Sequence, residues 1–477
     1  MDASKIELYK RINASSFFVI LGFIFLVAMG GCKKFLDEKP RKSDIIPVTL
    51  GDLELLLNNA HNAMNSRTGS GFAELLADNY YLEEGIWQLI ASIPVPSLQA
   101  EVYNYIWDEN AMPFNDGWDL AYQFPIYYSN IVLDQLPLIS DGDKKKPRYN
   151  SIKGAALFYR AFNFYILAQL YCKPYTIGNH GDPGIVVRLT SDVSVPSTRA
   201  TLKQTYDQII SDLKEAADLL PLSTTFPTQP TKAAAYAALA RTYLTMQEYA
   251  SAGEFARLGL QLNDQLLDFN NLLPLQTPPI QPGRFNPEII YYNYSPVPTI
   301  LSSNFARIDS TLYQSYDDND LRKTVFYKDN GGVYGFQGSY DGIGPYSDFG
   351  VFDGLTTDEL YLIRSECLAR GGNKDSAMHY LNKLMVKRWK NNGSWIPFVA
   401  ADEVDALEKV LAERRKELVY RGQRWSDIRR LNEEGANITL KRKIGDAIYT
   451  LPPSDKRSVM LIPFDEINRS GIQQNPR

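Results

Sequence analysis

Between Thr231 and Leu262 the chain writes the same apolar pattern twice, and no other stretch limits the fold as much. Tyr236, Leu239, Ala240 and Tyr243 fall at i, i+3, i+4 and i+7, the spacing of one helix stripe. After a turn at Gln247-Glu248, Ala252, Phe255 and Gly259 continue on a second helix. Small residues at Ala240 and Ala252 let the two helices approach closely, with Tyr243 filling the groove. This is tetratricopeptide-like spacing, and such pairs bury their apolar faces by stacking on further pairs. Thr356 to Arg388 offers a looser copy: Tyr361, Leu362 and Leu368, a Gly371-Gly372-Asn373 turn, then Ala377, Leu381 and Leu384. Ser151 to Leu219 is a third, split by an insertion, and its first part up to Tyr171 is apolar nearly all round, as a central helix must be. The expected fold is mostly α: a tetratricopeptide-like helical body with long aromatic-rich loop insertions and few short strands.

The remaining segments are placed around that body. Leu50 to Asn65, Phe72 to Asn79 and Thr201 to Leu219 read as helices, as does the i+4 ladder Trp118, Tyr122, Ile126 and Asn130. Asn130 on that stripe is expected to be a buried side chain satisfied by backbone groups. Residues 80 to 112 lose periodicity and read as long loop with short helical pieces, residues 141 to 150 as charged linker, and residues 173 to 200 as connector with a short strand at Ile185-Val187. Residues 264 to 355 are irregular, rich in Pro, Gly, Asn and aromatics, with short strands expected at Ile289–Asn293 and Thr324–Tyr327. An insertion of that length in a helical body is more often functional than a spacer. Leu407 to Leu431 reads as one heavily charged helix. Its Glu413, Arg414, Glu417, Arg424, Trp425 and Asp427 are expected to clamp a turn and the C-terminal tail.

The amino end carries an address. Lys5, Lys10 and Arg11 precede an unbroken apolar run from Phe17 to Met29, followed by Gly30, Gly31 and Cys32. A basic start, a short apolar centre and small residues at the cut point are the layout of a secretory signal over residues 1–31. The run is short of the roughly 20 residues that span a bilayer. Small-small-Cys suggests a bacterial lipoprotein in which Cys32 becomes the new terminus and carries lipid. No later run approaches spanning length, so residues 32–477 are expected to form a single domain attached to a membrane through the lipid anchor only.

Composition removes several classes of function. The net charge is −5 and no basic block is interleaved with aromatics, so nucleic acid is excluded as a partner. The three cysteines are Cys32, Cys172 and Cys367, and the last two sit in apolar helical stretches, as buried thiols. The three histidines, His61, His180 and His379, have no companion at zinc spacing. Neither a nucleophile elbow nor a phosphate loop is present. Asp317, Asp318 and Asp320 lack the glycine and distal glutamate of a calcium loop. No catalytic group, metal or cofactor is expected. The loops suit a sugar instead: aromatic rings stack on the C–H face of a pyranose while Asn, Asp and Arg read its hydroxyls. Asp78, Asn79, Tyr80, Tyr81, Trp87 and Trp107 form one such candidate group, and Tyr334, Phe336, Tyr340 and Tyr346 a second.

Several segments together resemble a known family. The start Cys32-Lys33-Lys34-Phe35-Leu36-Asp37-Glu38-Lys39-Pro40 resembles the mature N-terminus of SusD/RagB outer-membrane nutrient-binding lipoproteins. So do Tyr316 through Asp320-Leu321-Arg322, and Glu413-Arg414-Arg415-Lys416-Glu417-Leu418 with Gly422, Arg424, Trp425 and Asp427. The ending Leu461-Ile462-Pro463, Glu466-Ile467-Asn468 and Gln474-Asn475-Pro476 fits as well. Arg421, where the family usually has an acidic residue, and Met29 depart from the pattern. The resemblance implies a non-enzymatic lid, lipid-anchored on the outer face of the cell outer membrane. It would dock on a TonB-dependent, SusC-like transporter barrel and capture an oligosaccharide or peptide. A lipid-anchored glycoside hydrolase and a tetratricopeptide scaffold for proteins are the alternatives that the residues leave open.

Overall fold

The structure, a computed structural model, describes residues 47–274, 279–280, 286–340 and 350–477. The signal segment, Cys32 and Tyr346 lie outside the described residues. Val48 to Arg477 form one compact unit.

The body is a row of helices, each packed on the next. Pro147–Tyr171 lies against Leu202–Leu219, which lies against Lys232–Thr245, which pairs with Tyr249–Leu262. The row then skips the insertion: Tyr249–Leu262 packs directly on Thr357–Arg370, followed by Lys374–Met385 and Glu403–Glu417. Ala240 and Ala252 are fully enclosed at the seam of the central pair. Two glycines bring the helices on either side of the insertion into contact. A Cβ on Gly259 would stand 2.7 Å from Leu360 Cδ1, and one on Gly253 would stand 2.9 Å from the Cys367 Cβ. The Pro147–Tyr171 helix is buried on nearly all sides from Ala156 onward, which its all-round apolar sequence requires.

The helices begin where their sequences provide caps. Thr201 and Gln204 form a capping box ahead of Leu202, and the Thr231, Asn373 and Asp402 side chains accept from backbone N–H groups of the first turns that follow them. Among the described residues the strands make six two-stranded sheets. Tyr80–Leu82 pairs with Ala306–Ile308, Ile289–Tyr291 with Leu355–Thr356, and Tyr327–Asp329 with Tyr334–Phe336. Pro183–Val186 pairs with Arg199–Thr201, so the connector between the first two helices of the row is tied to its own end.

Four expectations need correction. Residues 80–112 are not mainly loop: after the Tyr80–Leu82 strand come helices Glu84–Ser92 and Pro96–Tyr105. Pro96 opens the second of these at its first position, where a missing N–H costs nothing. The stretch at 141–150 contains a short helix, Asp141–Lys144, and Pro147 already starts the central helix. Arg322–Val325 is helical, and the strand begins only at Tyr327. The charged stretch is two helices, Glu403–Glu417 and Arg424–Glu433, separated by Tyr420 and Gly422 at φ +56° and +66°. A hairpin, Leu440–Ile444 with Ala447–Leu451, follows and was not anticipated.

Candidate functional site

The charged helices are built into the interior. Glu413 and Glu417, one turn apart, face the same buried space and grip two arginines there. The Arg322 guanidinium donates to Glu413, to Glu417 Oε2 at 3.0 Å and to Asp320 Oδ2 at 2.6 Å. The Arg388 guanidinium donates to Glu417 Oε1 at 2.8 Å, to Glu288 Oε1 at 2.6 Å and to the Leu267 carbonyl at 2.6 Å. Burial pushes the Glu288 carboxyl up to about 7 against the pull of Arg388, with Asp358 and Glu417 adding to the rise. Tyr340 closes this cluster, its hydroxyl donating to Glu288 Oε2 at 2.6 Å. Arg414 bonds Asp427 at 2.8 Å, and Asp427 in turn accepts from Arg430, which holds Glu366 with two bonds of 2.6 and 2.8 Å. Arg424 clasps Asp78 with two bonds of 2.7 and 2.9 Å. Trp425 is a core residue. The turn held by Glu413 and Glu417 is Asp317–Arg322. The C-terminal tail is held by other groups: Arg199 donates to the Gln473 carbonyl and to Asn475 Oδ1, and Asn475 donates to the Tyr171 and Met460 carbonyls.

The sequence-nominated sugar-binding residues separate into two sets. Asn79, Tyr80, Trp107 and Tyr340 are all enclosed, at 0–2% exposure, and cannot meet a ligand. Asn79 donates to Glu74, Tyr80 to the Leu75 carbonyl and Trp107 to the Leu76 carbonyl. Asp78 is occupied by Arg424: burial raises its carboxyl, but the hydrogen bonds and charge of Arg424, with Arg415 and Arg442, hold it down to about 2. Phe336 is spent on a stacked contact with Tyr420, ring centroids 4.5 Å apart. Tyr81, Trp87 and Tyr334 remain half-buried.

Two of these three come to one side of the molecule through a strand the sequence did not reveal as part of the site. Ala306–Ile308 runs antiparallel to Tyr80–Leu82, with Tyr81 directly opposite Arg307. Their neighbours Tyr80, Leu82, Ala306 and Ile308 are buried, so strand alternation turns Tyr81 and Arg307 outward together. The Tyr334–Phe336 strand packs beside Ala306–Ile308, with Gly335 close enough that a Cβ would lie 3.4 Å from the Ser303 carbonyl. Tyr334 stacks on Tyr313, ring centroids 3.5 Å apart and planes within 14°. Arg307 is fixed by donating through Nη1 to the Ser303, Asn304 and Ala306 carbonyls, while its Nε makes no hydrogen bond among the described residues and stands 3.9 Å from Glu83. Half-exposed rings beside an immobilised guanidinium offer stacking faces and a donor. Asp318 and Asp320 are taken by Lys323 and Arg322, and no group of three or more ligand-type side chains could hold a metal among the described residues.

The described geometry has known relatives. A family model described as "Starch-binding associating with outer membrane" matches residues 34–244, and one described as "SusD family" matches residues 358–476. The chain belongs to the SusD/RagB family. It is 26% identical to the SusD-like protein P2 of Formosa agariphila, over 86% of this chain and 89% of that protein. A SusD-superfamily crystal structure from Bacteroides thetaiotaomicron superposes with a TM-score of 0.72 at 21% identity, covering 90% of this chain and 100% of that one. The surface glycan-binding protein A of Bacteroides uniformis gives 0.65 at 15% identity, covering 90% and 99%. In this SusD-family chain Arg421, the departure noted in the sequence, has a defined place: it donates to Asp358 Oδ2 at 3.0 Å and lies 3.6 Å over the Tyr340 ring. No helix among the described residues is long and apolar enough to cross a membrane.

Proposed function

We propose that this SusD/RagB-family protein is a lipid-anchored nutrient-binding protein of the outer cell surface. It takes an oligosaccharide on the Tyr81–Arg307 face, beside the Tyr313–Tyr334 stack, and delivers it to a TonB-dependent transporter without altering it. Residues 1–31 act as the lipoprotein signal, Cys32 carries the lipid, and residues 32–477 work as one binding domain. The observation that carries the reading is the outward pairing of Tyr81 with Arg307 in a chain matched by a starch-binding family model. The glycan-binding name of the Bacteroides uniformis structure supports it.

Calorimetric titration of the protein with a panel of neutral oligosaccharides tests binding, and chromatography of the same mixtures tests turnover. Saturable binding that falls about tenfold in Tyr81→Ala, with the ligand recovered intact, is the expected result; loss of one good contact of about 1.4 kcal/mol is a factor of ten. Cleavage of the ligand overturns the reading in favour of a hydrolase. Cys32→Ala is expected to move the protein from the membrane fraction to the soluble one.

A further inference from the structure

A second concave surface, with neither Tyr81 nor Arg307 in its lining, lies on the helix ladder that begins at Trp118. Asp116–Ala121 and Tyr127–Gln135 are joined by a π-helical turn, Tyr122–Ile126, that contains Pro125. A proline removes one helix hydrogen bond and crowds the preceding turn, and a wide turn accommodates it; such turns recur at functional sites. Here the turn borders a pocket of about 620 Å³ lined on one side by Trp118, Tyr122, Phe124 and Tyr127.

The walls are rigid. Trp118 rests against Tyr122 and, edge-on, against Tyr171, with centroids 5.0 Å apart in both pairs. The Tyr122 hydroxyl donates to the Val186 carbonyl at 2.7 Å, tying this wall to the Pro183–Val186 strand. Across the pocket Arg188 shapes the loop that follows, donating to the Asp192 and Val195 carbonyls and to Ser197 Oγ. Trp118 is only 2% exposed and backs the wall, leaving the half-buried Tyr122, Phe124 and Tyr127 to present ring faces to the pocket. At the rim, Asp119 and Glu466 are half-buried and neither forms a salt bridge among the described residues. Burial, then the nearby Glu466 charge, push the Asp119 carboxyl up.

The contents of the pocket define a ligand. Fixed aromatic faces suit an apolar ring face, and two unpaired carboxylates accept from adjacent hydroxyls. The carboxylates of Asp119 and Glu466 are balanced by Arg188 and Arg469, which also line the pocket, so the lining has no net charge to attract an ionic group. We propose that this pocket is a second saccharide subsite, separate from the Tyr81–Arg307 face, that holds one or two neutral sugar residues against Phe124 and Tyr127. The inference rests on the reading of the protein as a saccharide binder.

The test is calorimetric titration of the full-length protein and two pocket variants with neutral oligosaccharides of three to seven residues: malto-, cello-, laminari- and manno-series. Tyr127→Ala removes a half-exposed ring, and Glu466→Gln keeps the rim geometry while removing charge from a surface helix, so the fold is retained in at least one. Tyr81→Ala serves as the control. Expected are two sites per chain in the wild type. Tyr127→Ala loses one, and Glu466→Gln weakens the same one about tenfold, the scale of one charge-assisted hydrogen bond. Tyr81→Ala should leave that site in place. Binding weakened by Tyr81→Ala and untouched by both pocket variants overturns this inference and spares the proposed function. No binding to any series overturns the saccharide reading, and the subsite falls with it.

Discussion

Replacing Glu417 with alanine should cost the protein about 3–4 kcal/mol of stability. Glu417 is fully enclosed, and each of its oxygens serves a different arginine: Oε1 accepts from Arg388 Nε at 2.8 Å and Oε2 from Arg322 Nη1 at 3.0 Å. Hydrogen bonds to charged groups contribute about 1.5–3 kcal/mol each, which sets the gross loss at about 3–6 kcal/mol. Two features hold it to the lower part of that range. Arg322 keeps Asp320 and Glu413, and Arg388 keeps Glu288 and the Leu267 carbonyl, so neither cation is stranded. The figure agrees with the roughly 3–5 kcal/mol that breaking a buried pair costs. Urea unfolding followed by tryptophan fluorescence measures it: the midpoint should fall while the slope stays constant, since the surface exposed on unfolding is unchanged. Replacing the pair together, Glu417→Met with Arg388→Met, should recover part of the loss, because apolar groups need no partner. A loss below about 1 kcal/mol in Glu417→Ala would refute the reasoning that its two buried bonds to Arg388 and Arg322 stabilise the fold.

Glu74 should give the protein a pH-dependent stability. Burial raises its carboxyl to about 7, against opposing bonds from Asn79 and Gly422, so the folded protein holds this proton more tightly than the unfolded chain, whose value is near 4.5. The contribution is complete below pH 4.5 and is lost as pH rises through about 7, a fall of about 3 kcal/mol that Glu74→Gln abolishes. Equal declines in wild type and variant between pH 5 and 8 would exclude Glu74 as the source. Gly422→Ala should destabilise by about 1–3 kcal/mol, since φ is +66° and the new Cβ would sit 3.1 Å from Ser70. Gly435→Ala, at φ +88° with open space around it, isolates the backbone part, and equal losses in thermal melts of the two would show that the Ser70 contact is immaterial.

The helix pairs were legible because a 3.6-residue apolar period survives any tertiary arrangement. What joins them across the insertion was not. Gly253 and Gly259 read as small residues on a stripe, and only the arrival of Cys367 and Leu360 from beyond a long insertion explains why nothing larger fits. Charges at i, i+4 ordinarily mark a wet surface, but Glu413 and Glu417 face arginines from other segments, so their pattern alone says nothing about depth. At Pro96 and Pro147 a proline begins a helix inside stretches that lack apolar period, so the start carries no stripe to announce it. The Leu440–Ile444 and Ala447–Leu451 hairpin had a readable sign, alternating Leu440, Arg442 and Ile444 ahead of Gly445-Asp446.

For the site, composition located the neighbourhood and could not choose among its members. Tyr80 and Tyr81 are adjacent and chemically equal; once they lie in a strand, one must point in and the other out. Which is which depends on pairing with Ala306–Ile308, a segment far away in the chain, and that pairing also brings in Arg307, which composition had no reason to nominate. The Trp118 ladder makes the converse point. Large residues at i+4 spacing state that a helix face is apolar, and the natural conclusion is that protein covers it. Along this ladder the cover is complete at Ile126 and Asn130, where the Arg188 and Thr190 carbonyls accept from the Asn130 amide. It is incomplete at Tyr122, which is half-buried and lines the pocket. A stripe of this kind therefore encodes the need for a cover but not its identity, and a binding surface arises wherever the chain leaves part of that need to another molecule.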